Sequence, residues 1–101
     1  MKTSFLTLLS LASVALATEP PQPKFRAQDI DTAVNIGYGI AIADVDGDGK
    51  PDILLADKNT VQWYHNPDWK KHIIAENLTP QDHVCIAAQD IDGDGKCEIA
   101  V

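Results

Sequence analysis

The sequence predicts an all-β protein built from the antiparallel, four-stranded blades of a β-propeller. An acidic segment recurs at an offset of 46 residues: residues 40–56 read IAIADVDGDGKPDILLA, and residues 86–101 read IAAQDIDGDGKCEIAV. Four segments with β-strand patterns fit within one such period. A repeat of ~40–50 residues that holds four strands is typical of a propeller blade.

Each strand is predicted from its own pattern. Residues 38–43 alternate bulky and small side chains, which is the period of two expected of a strand. Residues 53–56 are continuously apolar, which suits a strand buried on both faces. Residues 60–65 are rich in β-branched and aromatic side chains, and residues 69–74 follow an Asn-Pro-Asp turn. A helix over residues 69–77 is the alternative, but so short a helix is marginal without strong packing.

The N-terminus predicts export. Lys2 precedes an apolar run, and Ala15-Leu16-Ala17 is a small-x-small cleavage motif, so residues 1–17 are predicted to be a signal peptide. The run is shorter than the ~20 residues of a membrane span, so we expect a secreted protein with no span. Residues 18–24 form a Pro-rich lead-in, and residues 25–101 form the predicted partial propeller.

Within the partial propeller we expect three parts. Residues 25–35 are interpreted as the outer strand of a neighbouring blade, residues 36–80 as the first full blade and residues 81–101 as the start of the next blade. Removal of the signal peptide leaves 84 of the 101 residues, about 1.8 periods, whereas a closed ring needs ~4–8 blades. We therefore expect a fragment of a larger propeller.

The charge of the chain limits its partners. With 15 acidic and 8 basic residues, the net charge is −7. This excludes nucleic acid and anionic membranes as expected partners, because both require a basic face. The acidic residues concentrate in the two repeated segments, so a divalent cation is the partner that the charge favours.

The repeated acidic segments are candidate metal sites. Alternate carboxylates turn toward one centre when a loop curls, and calcium takes ~6–8 oxygen ligands. A plain hairpin turn is the alternative, but it does not need four clustered carboxylates, which repel one another without a cation. An EF-hand is excluded because position 12 of each loop is apolar (Leu55 and Val101). Calcium is predicted, with magnesium left open. The predicted ligands, including the backbone carbonyls of the two lysines, are Asp44, Asp46, Asp48, Lys50 and Asp52 in the first loop and Asp90, Asp92, Asp94, Lys96 and Glu98 in the second.

The sequence also makes predictions for residues that are not among the proposed metal ligands. Asn77 begins an Asn-Leu-Thr sequon and is a candidate glycosylation site. Cys85 and Cys97 are expected to lie too far apart along their hairpin to form a disulfide with each other. His83 precedes the innermost strand of the next blade and is the candidate catalytic residue, with an ordinary polar loop residue as the favoured alternative. His65 is expected at the surface of an outer strand.

The segment from Ile36 to Asp52 resembles the FG-GAP and VCBS repeat family. That resemblance implies a β-propeller in which calcium loops join the first and second strands of each blade. The family's Gly-Ala-Pro is replaced here by Ala56-Asp57-Lys58. Residues 63–74 are similar to the propeller part of fungal aldos-2-ulose dehydratase/isomerase-like proteins, which implies carbohydrate chemistry.

Two functions follow from these patterns. The first is a secreted, non-catalytic module that binds calcium for stability and presents a surface to a glycan or an extracellular protein. The alternative is the N-terminal part of a secreted carbohydrate-active lyase or dehydratase. The sequence leaves open whether the protein is an enzyme.

Overall fold

The computed structural model describes residues 2–3 and 17–101, so the predicted signal peptide lies almost wholly outside the described residues. The described part contains strands and no helix. It therefore contains no helix long and apolar enough to cross a membrane. The six strands are β1 (Gly39–Ala43), β2 (Asp52–Ala56), β3 (Thr60–His65), β4 (Lys70–Glu76), β5 (Ala87–Gln89) and β6 (Glu98–Ala100).

The strands form two antiparallel sheets. β1, β2, β3 and β4 lie side by side in chain order, and β5 pairs with β6 in a separate hairpin. This confirms the prediction of an all-β fold with four strands in the first period. The fourth segment is a strand rather than a short helix because it pairs along β3 from Thr60 opposite Glu76 to His65 opposite Lys70.

The core of the first sheet centres on its two inner strands. Leu54 and Ala56 in β2 are fully buried, and Val61 in β3 is 2% exposed. β2 is buried on both faces, as its continuous apolar run predicts, because successive strand residues point to opposite faces. By contrast, Ile40 and Ile42 on the edge strand β1 remain exposed.

Residues 25–35 differ from the expected outer strand. The structure assigns no strand to this segment, and Phe25 is 92% exposed. A strand requires a neighbouring strand for its hydrogen bonds, and no strand pairs with residues 25–35 in the described part of the chain. Its membership of another blade stays a prediction.

Residues 31–37, which we call the N-terminal strap, instead lie against the first sheet. Asp57 at the end of β2 is 2% exposed. Its carboxylate accepts hydrogen bonds from the backbone N–H groups of Asn35 (2.9 Å), Ile36 (2.7 Å) and Gly37 (3.0 Å). Burial alone would raise the pKa of Asp57, but these bonds and one from Lys58 hold the pKa below its ordinary value.

A second carboxylate fixes the start of the strap. Asp31 Oδ2 accepts a hydrogen bond from the Tyr64 hydroxyl at 2.6 Å and lies 2.6 Å from Lys71 Nζ. The Lys71 and Tyr64 contacts, with a bond from Ala33 N–H, lower the pKa of Asp31 to about 2. Burial and Asp31 together raise the pKa of Tyr64 to about 12. The strap is therefore held by ionised carboxylates at both ends.

The second hairpin lies close to β1. A Cβ atom on Gly39 would lie 3.3 Å from Ile86 Cγ2 and 3.4 Å from Cys85 Cα. The small residues of β1 thus permit this close approach. β5 begins at Ala87, which pairs with Ala100 in β6.

The two cysteines do not form a disulfide. Cys85 and Cys97 are both free. Gln89 lies opposite Glu98 in the β5–β6 register, so Cys97 stands near the loop end of the hairpin while Cys85 precedes β5. This agrees with the predicted separation.

Candidate metal centres in the two acidic loops

The two acidic loops occupy equivalent places in the two sheets. Residues 44–51 connect β1 to β2, and residues 90–97 connect β5 to β6. Antiparallel pairing brings the first and last residues of each loop together, since Ala43 lies opposite Asp52 and Gln89 opposite Glu98. The predicted ligands of each loop therefore start and finish at the same end of a hairpin.

The first carboxylate organises each loop. Asp44 accepts hydrogen bonds from the backbone N–H groups three and five residues later, both at 2.8 Å. Asp90 accepts from the same relative positions at 2.7 and 2.9 Å. Gly49 and Gly95 have φ angles of +83° and +90°, a left-handed conformation that glycine adopts at little cost. These two glycines therefore allow the chain to turn sharply at the sixth position of each loop.

The carboxylate at the ninth loop position closes each loop. Asp52 Oδ2 accepts a hydrogen bond from Val45 N–H at 2.9 Å, and Glu98 Oε2 accepts one from Ile91 N–H at 2.7 Å. Asp52 also accepts from Asn66 N–H at 2.8 Å and is fully buried. Glu98 is exposed. The longer side chain of Glu98 therefore repeats the local bond without the burial.

The carboxylates converge in both loops. Oxygen atoms of Asp44, Asp46 and Asp52 lie within 4.8 Å of one another, and the same is true of Asp90, Asp92 and Asp94. Although several of these oxygens accept backbone hydrogen bonds, an ionised carboxylate has about four lone-pair sites, so acceptor capacity remains. An all-oxygen donor set of this kind suits a hard divalent cation such as calcium or magnesium.

His65 is the site residue that the sequence interpretation missed. Its Nε2 lies 3.3 Å from Asp46 Oδ2 and 3.7 Å from Asp48 Oδ2. His65 is partly exposed and ends β3 at the end of the sheet where the first loop lies, so it borders that loop as well as the surface. The hydrogen bond to Asp68, followed by the charges of nearby carboxylates, raises the pKa of His65 above its ordinary value, against the effect of partial burial. Antiparallel pairing of the two strands predicted at residues 53–56 and 60–65 would place His65 beside the start of the first of them, and this is the signal in the sequence that could have identified it.

Two predicted carboxylate ligands lie outside the converging group of their own loop: Glu98 joins no group among the described residues, and Asp48 groups with Asp46 and His65 rather than with Asp44 and Asp52. The backbone N–H of Lys50 donates to Asp48 Oδ1, and Lys50 Nζ lies 3.1 Å from Asp48 Oδ2. These two bonds lower the pKa of Asp48.

His83 is half-buried, and its Nε2 lies 3.5 Å from Thr79 Oγ1. Asn77 is exposed just after β4. The catalytic role of His83, the carbonyl ligands of Lys50 and Lys96 and the glycosylation of Asn77 stay predictions.

A separate cavity of about 380 Å³ lies between the N-terminal strap and the first sheet. Ile40, Ile53 and Leu55 line it from the sheet, and Val34 lines it from the strap. Neither His83 nor any predicted metal ligand lines this cavity. The acidic loops and the cavity are thus independent features.

Comparison with known proteins identifies the repeat. A family model described as an FG-GAP-like repeat matches residues 44–101, more than half of the chain. The match begins at the first carboxylate of the first loop and includes both loops. No curated protein and no solved structure matches the chain. With its strands in antiparallel sheets and its loops inside the matched region, the chain belongs to the FG-GAP-like repeat family, whose repeats are β-propeller blades.

Proposed function

We propose that the protein is a secreted β-propeller module of the FG-GAP/VCBS type whose two acidic loops each bind a calcium ion for structural stability. The bound ions hold the hairpins in shape, and the module presents a surface to a glycan or an extracellular protein. The observation that carries this proposal is that the same backbone hydrogen bonds to the first carboxylate occur in both loops. Each loop also has three converging carboxylates, at loop positions one, three and nine in the first loop and one, three and five in the second.

Electrostatics supports a cation in each loop. Four carboxylates lie in each nine-residue segment, and the side chain of Lys50 pairs with only one of those in the first loop. Carboxylates held this close repel one another, and a divalent cation removes that repulsion while contributing binding energy. The loops would therefore gain order when an ion binds.

Calcium is favoured over magnesium by the nature of the ligands. Calcium accepts ~6–8 oxygens in a flexible geometry, whereas magnesium demands a near-octahedral arrangement and retains water. Asp44 and Asp52 are fixed by backbone hydrogen bonds and, for Asp52, by burial. Asp46 is exposed. A set that mixes fixed and adaptable carboxylates suits the more tolerant ion.

The test is thermal unfolding of the full chain with calcium and with a chelator. At a free calcium concentration of 100 times Kd, binding to one site adds about 2.7 kcal/mol to the free energy of unfolding. That gain raises Tm by roughly 10–20 °C in a domain of this size. The double substitution Asp46→Asn and Asp92→Asn removes one converging charge from each loop and should abolish most of the increase.

Asp29→Asn is the matched control, because Asp29 is exposed and lies outside both loops. It should keep the full calcium-dependent increase in Tm. Identical Tm values in calcium and in chelator for the unmodified chain would contradict the proposal. Titration calorimetry should give two calcium ions per chain, and one ion would confine the function to a single loop.

A further inference from the structure

The first acidic loop has a nitrogen ligand within reach that makes it chemically different from a plain calcium loop. Donor atoms of Asp46, Asp48 and His65 lie within 4.8 Å of one another. Two of the separations are 3.3 and 3.7 Å, measured from His65 Nε2 to one oxygen of each aspartate. Ligands about 2.1 Å from a tetrahedral zinc ion lie about 3.4 Å apart. The two separations from Nε2 match those of neighbouring ligands on one small ion, and they also match His–Asp ion pairs.

The other face of the imidazole is held by a carboxylate. His65 Nδ1 lies 2.9 Å from Asp68 Oδ1. When Nδ1 donates its proton to Asp68, the Nε2 lone pair points toward Asp46 and Asp48. Metal-binding histidines almost always have such a partner, which fixes the tautomer and the ring orientation. Asp68 belongs to the turn between β3 and β4, so this support comes from outside the acidic loop.

We propose that the first loop binds a transition-metal ion of the zinc class through His65 Nε2, Asp46 and Asp48, with Asp68 as the positioning residue. Imidazole nitrogen suits zinc, copper and nickel, whereas calcium prefers oxygen ligands only. The inference rests on the proposed function in one respect, since it uses the same loop as a cation site. It adds that this loop selects a second class of ion.

Two contacts compete with such an ion. Lys50 Nζ lies 3.1 Å from Asp48 Oδ2, but the Lys50 side chain is 53% exposed and is free to move into solvent. A protonated His65 would instead form ion pairs with both aspartates. The ion-pair alternative and the metal site make different predictions, because only the metal site requires zinc to bond directly to Nε2.

The experiment is a zinc titration of the calcium-free full chain. Long-range proton–nitrogen NMR spectra of the imidazoles report directly on the bonded nitrogen, and calorimetry gives the affinity. The Nε2 signal of His65 should shift on zinc addition. His65→Gln should weaken zinc binding at least about tenfold, as loss of metal-site residues does, while calcium affinity changes little.

His72→Gln is the matched control. His72 lies on the neighbouring strand, directly opposite Trp63, and its ring stacks on Trp63 at 4.6 Å. This substitution should leave zinc affinity unchanged. Asp68→Asn should weaken zinc binding less than His65→Gln does and should alter the Nδ1 signal of His65.

The outcomes separate the two proposals. Calcium binding without a His65 nitrogen shift on zinc addition overturns this inference and leaves the proposed function standing. Equal losses of zinc and calcium affinity in His65→Gln also overturn it, because His65 would then only shape the loop. If neither ion binds the unmodified chain, both proposals fail. Zinc binding at His65 without calcium binding supports this inference and overturns the calcium module.

Discussion

The two acidic loops have the same internal hydrogen bonds and very different surroundings. In both, the first carboxylate accepts from the amides three and five residues later, and the ninth accepts from the amide of the second residue. Among the described residues, only the first loop is bonded to residues beyond its own hairpin. Asp52 is buried and bonded to Asn66, whereas Glu98 is exposed.

This difference separates what the loop sequence encodes from what the sheet supplies. The internal network needs only residues within one nine-residue segment, so it recurs wherever the segment recurs. Burial of the ninth carboxylate requires a third strand, and the first sheet has β3 while the second hairpin has only two strands. We therefore expect the first sheet to be the more stable region and the second hairpin to depend more on a bound cation.

Asp57→Ala is the substitution with the largest expected effect on the stability of the first sheet. The Asp57 carboxylate accepts from four backbone N–H groups and from Asn35 Nδ2. Leaving several partly buried donors without a partner should lower the free energy of unfolding of the first sheet by about 3–5 kcal/mol. Tryptophan fluorescence in a urea titration measures it, because Trp63 and Trp69 both lie in this sheet region.

The exposed Asp29→Ala is its control and should lie within about 0.5 kcal/mol of the unmodified chain. If Asp57→Ala lowers the free energy of unfolding by less than about 1 kcal/mol, the N-terminal strap contributes little to the stability of the first sheet. The stability difference between the two regions would then have to come from β3 alone.

Asp52→Ala and Glu98→Ala compare the two loops directly. Asp52→Ala removes the acceptor for Val45 N–H and Asn66 N–H at a fully buried position, so we expect a loss of about 2–3 kcal/mol. Glu98→Ala removes one exposed bond, and we expect a loss below about 1 kcal/mol. Urea unfolding in chelator measures both without a metal contribution.

Equal losses at the two positions would remove the distinction between an anchored and an unanchored loop. Hydrogen exchange with and without calcium tests the same difference between the two regions. If the second hairpin depends on its ion, calcium should increase protection of β5 and β6 amides from hydrogen exchange more than it does for β2 and β3.

Sequence reasoning predicted the loops well because their determinants are local. The bond between Asp52 and Val45 joins residues seven positions apart, and the alternation of Asp and Gly residues shows the turn directly. The four strands of the first sheet were predictable for a similar reason, since each has its own pattern and a short connection to the next. The repeat then gave the correct assignment to a blade-forming family.

The contacts that sequence reasoning missed join residues far apart in the chain. Asp57 binds amides 20–22 residues earlier, and no local pattern distinguishes it from a turn aspartate. His65 reaches Asp46 only because β3 pairs with β2 in one register. The strap formed where an outer strand was predicted, because an isolated segment cannot satisfy strand pairing but can donate its amides to a buried carboxylate.

Lys71→Met carries the smallest expected effect and tests the N-terminal strap through pH. The Lys71 ammonium is the largest cause of the lowered pKa of Asp31, which lies at about 2. A lowered folded-state pKa adds stability above the ordinary pKa of the carboxyl, and that stability is lost as pH falls through the folded-state value. Lys71→Met should therefore lower the free energy of unfolding by about 1 kcal/mol at pH 7.

The difference in free energy of unfolding between Lys71→Met and the unmodified chain should shrink between about pH 4 and pH 2, because Asp31 becomes protonated over that range in both proteins. Lys70→Met is the matched control: Lys70 is the exposed neighbour on β4, and its substitution should have no pH-dependent effect. Urea unfolding followed by tryptophan fluorescence at each pH measures both variants. If Lys71→Met lowers the free energy of unfolding equally at pH 7 and pH 2, Lys71 acts through packing of its aliphatic stem rather than through the Asp31 charge. Attachment of the N-terminal strap would then depend on Asp57.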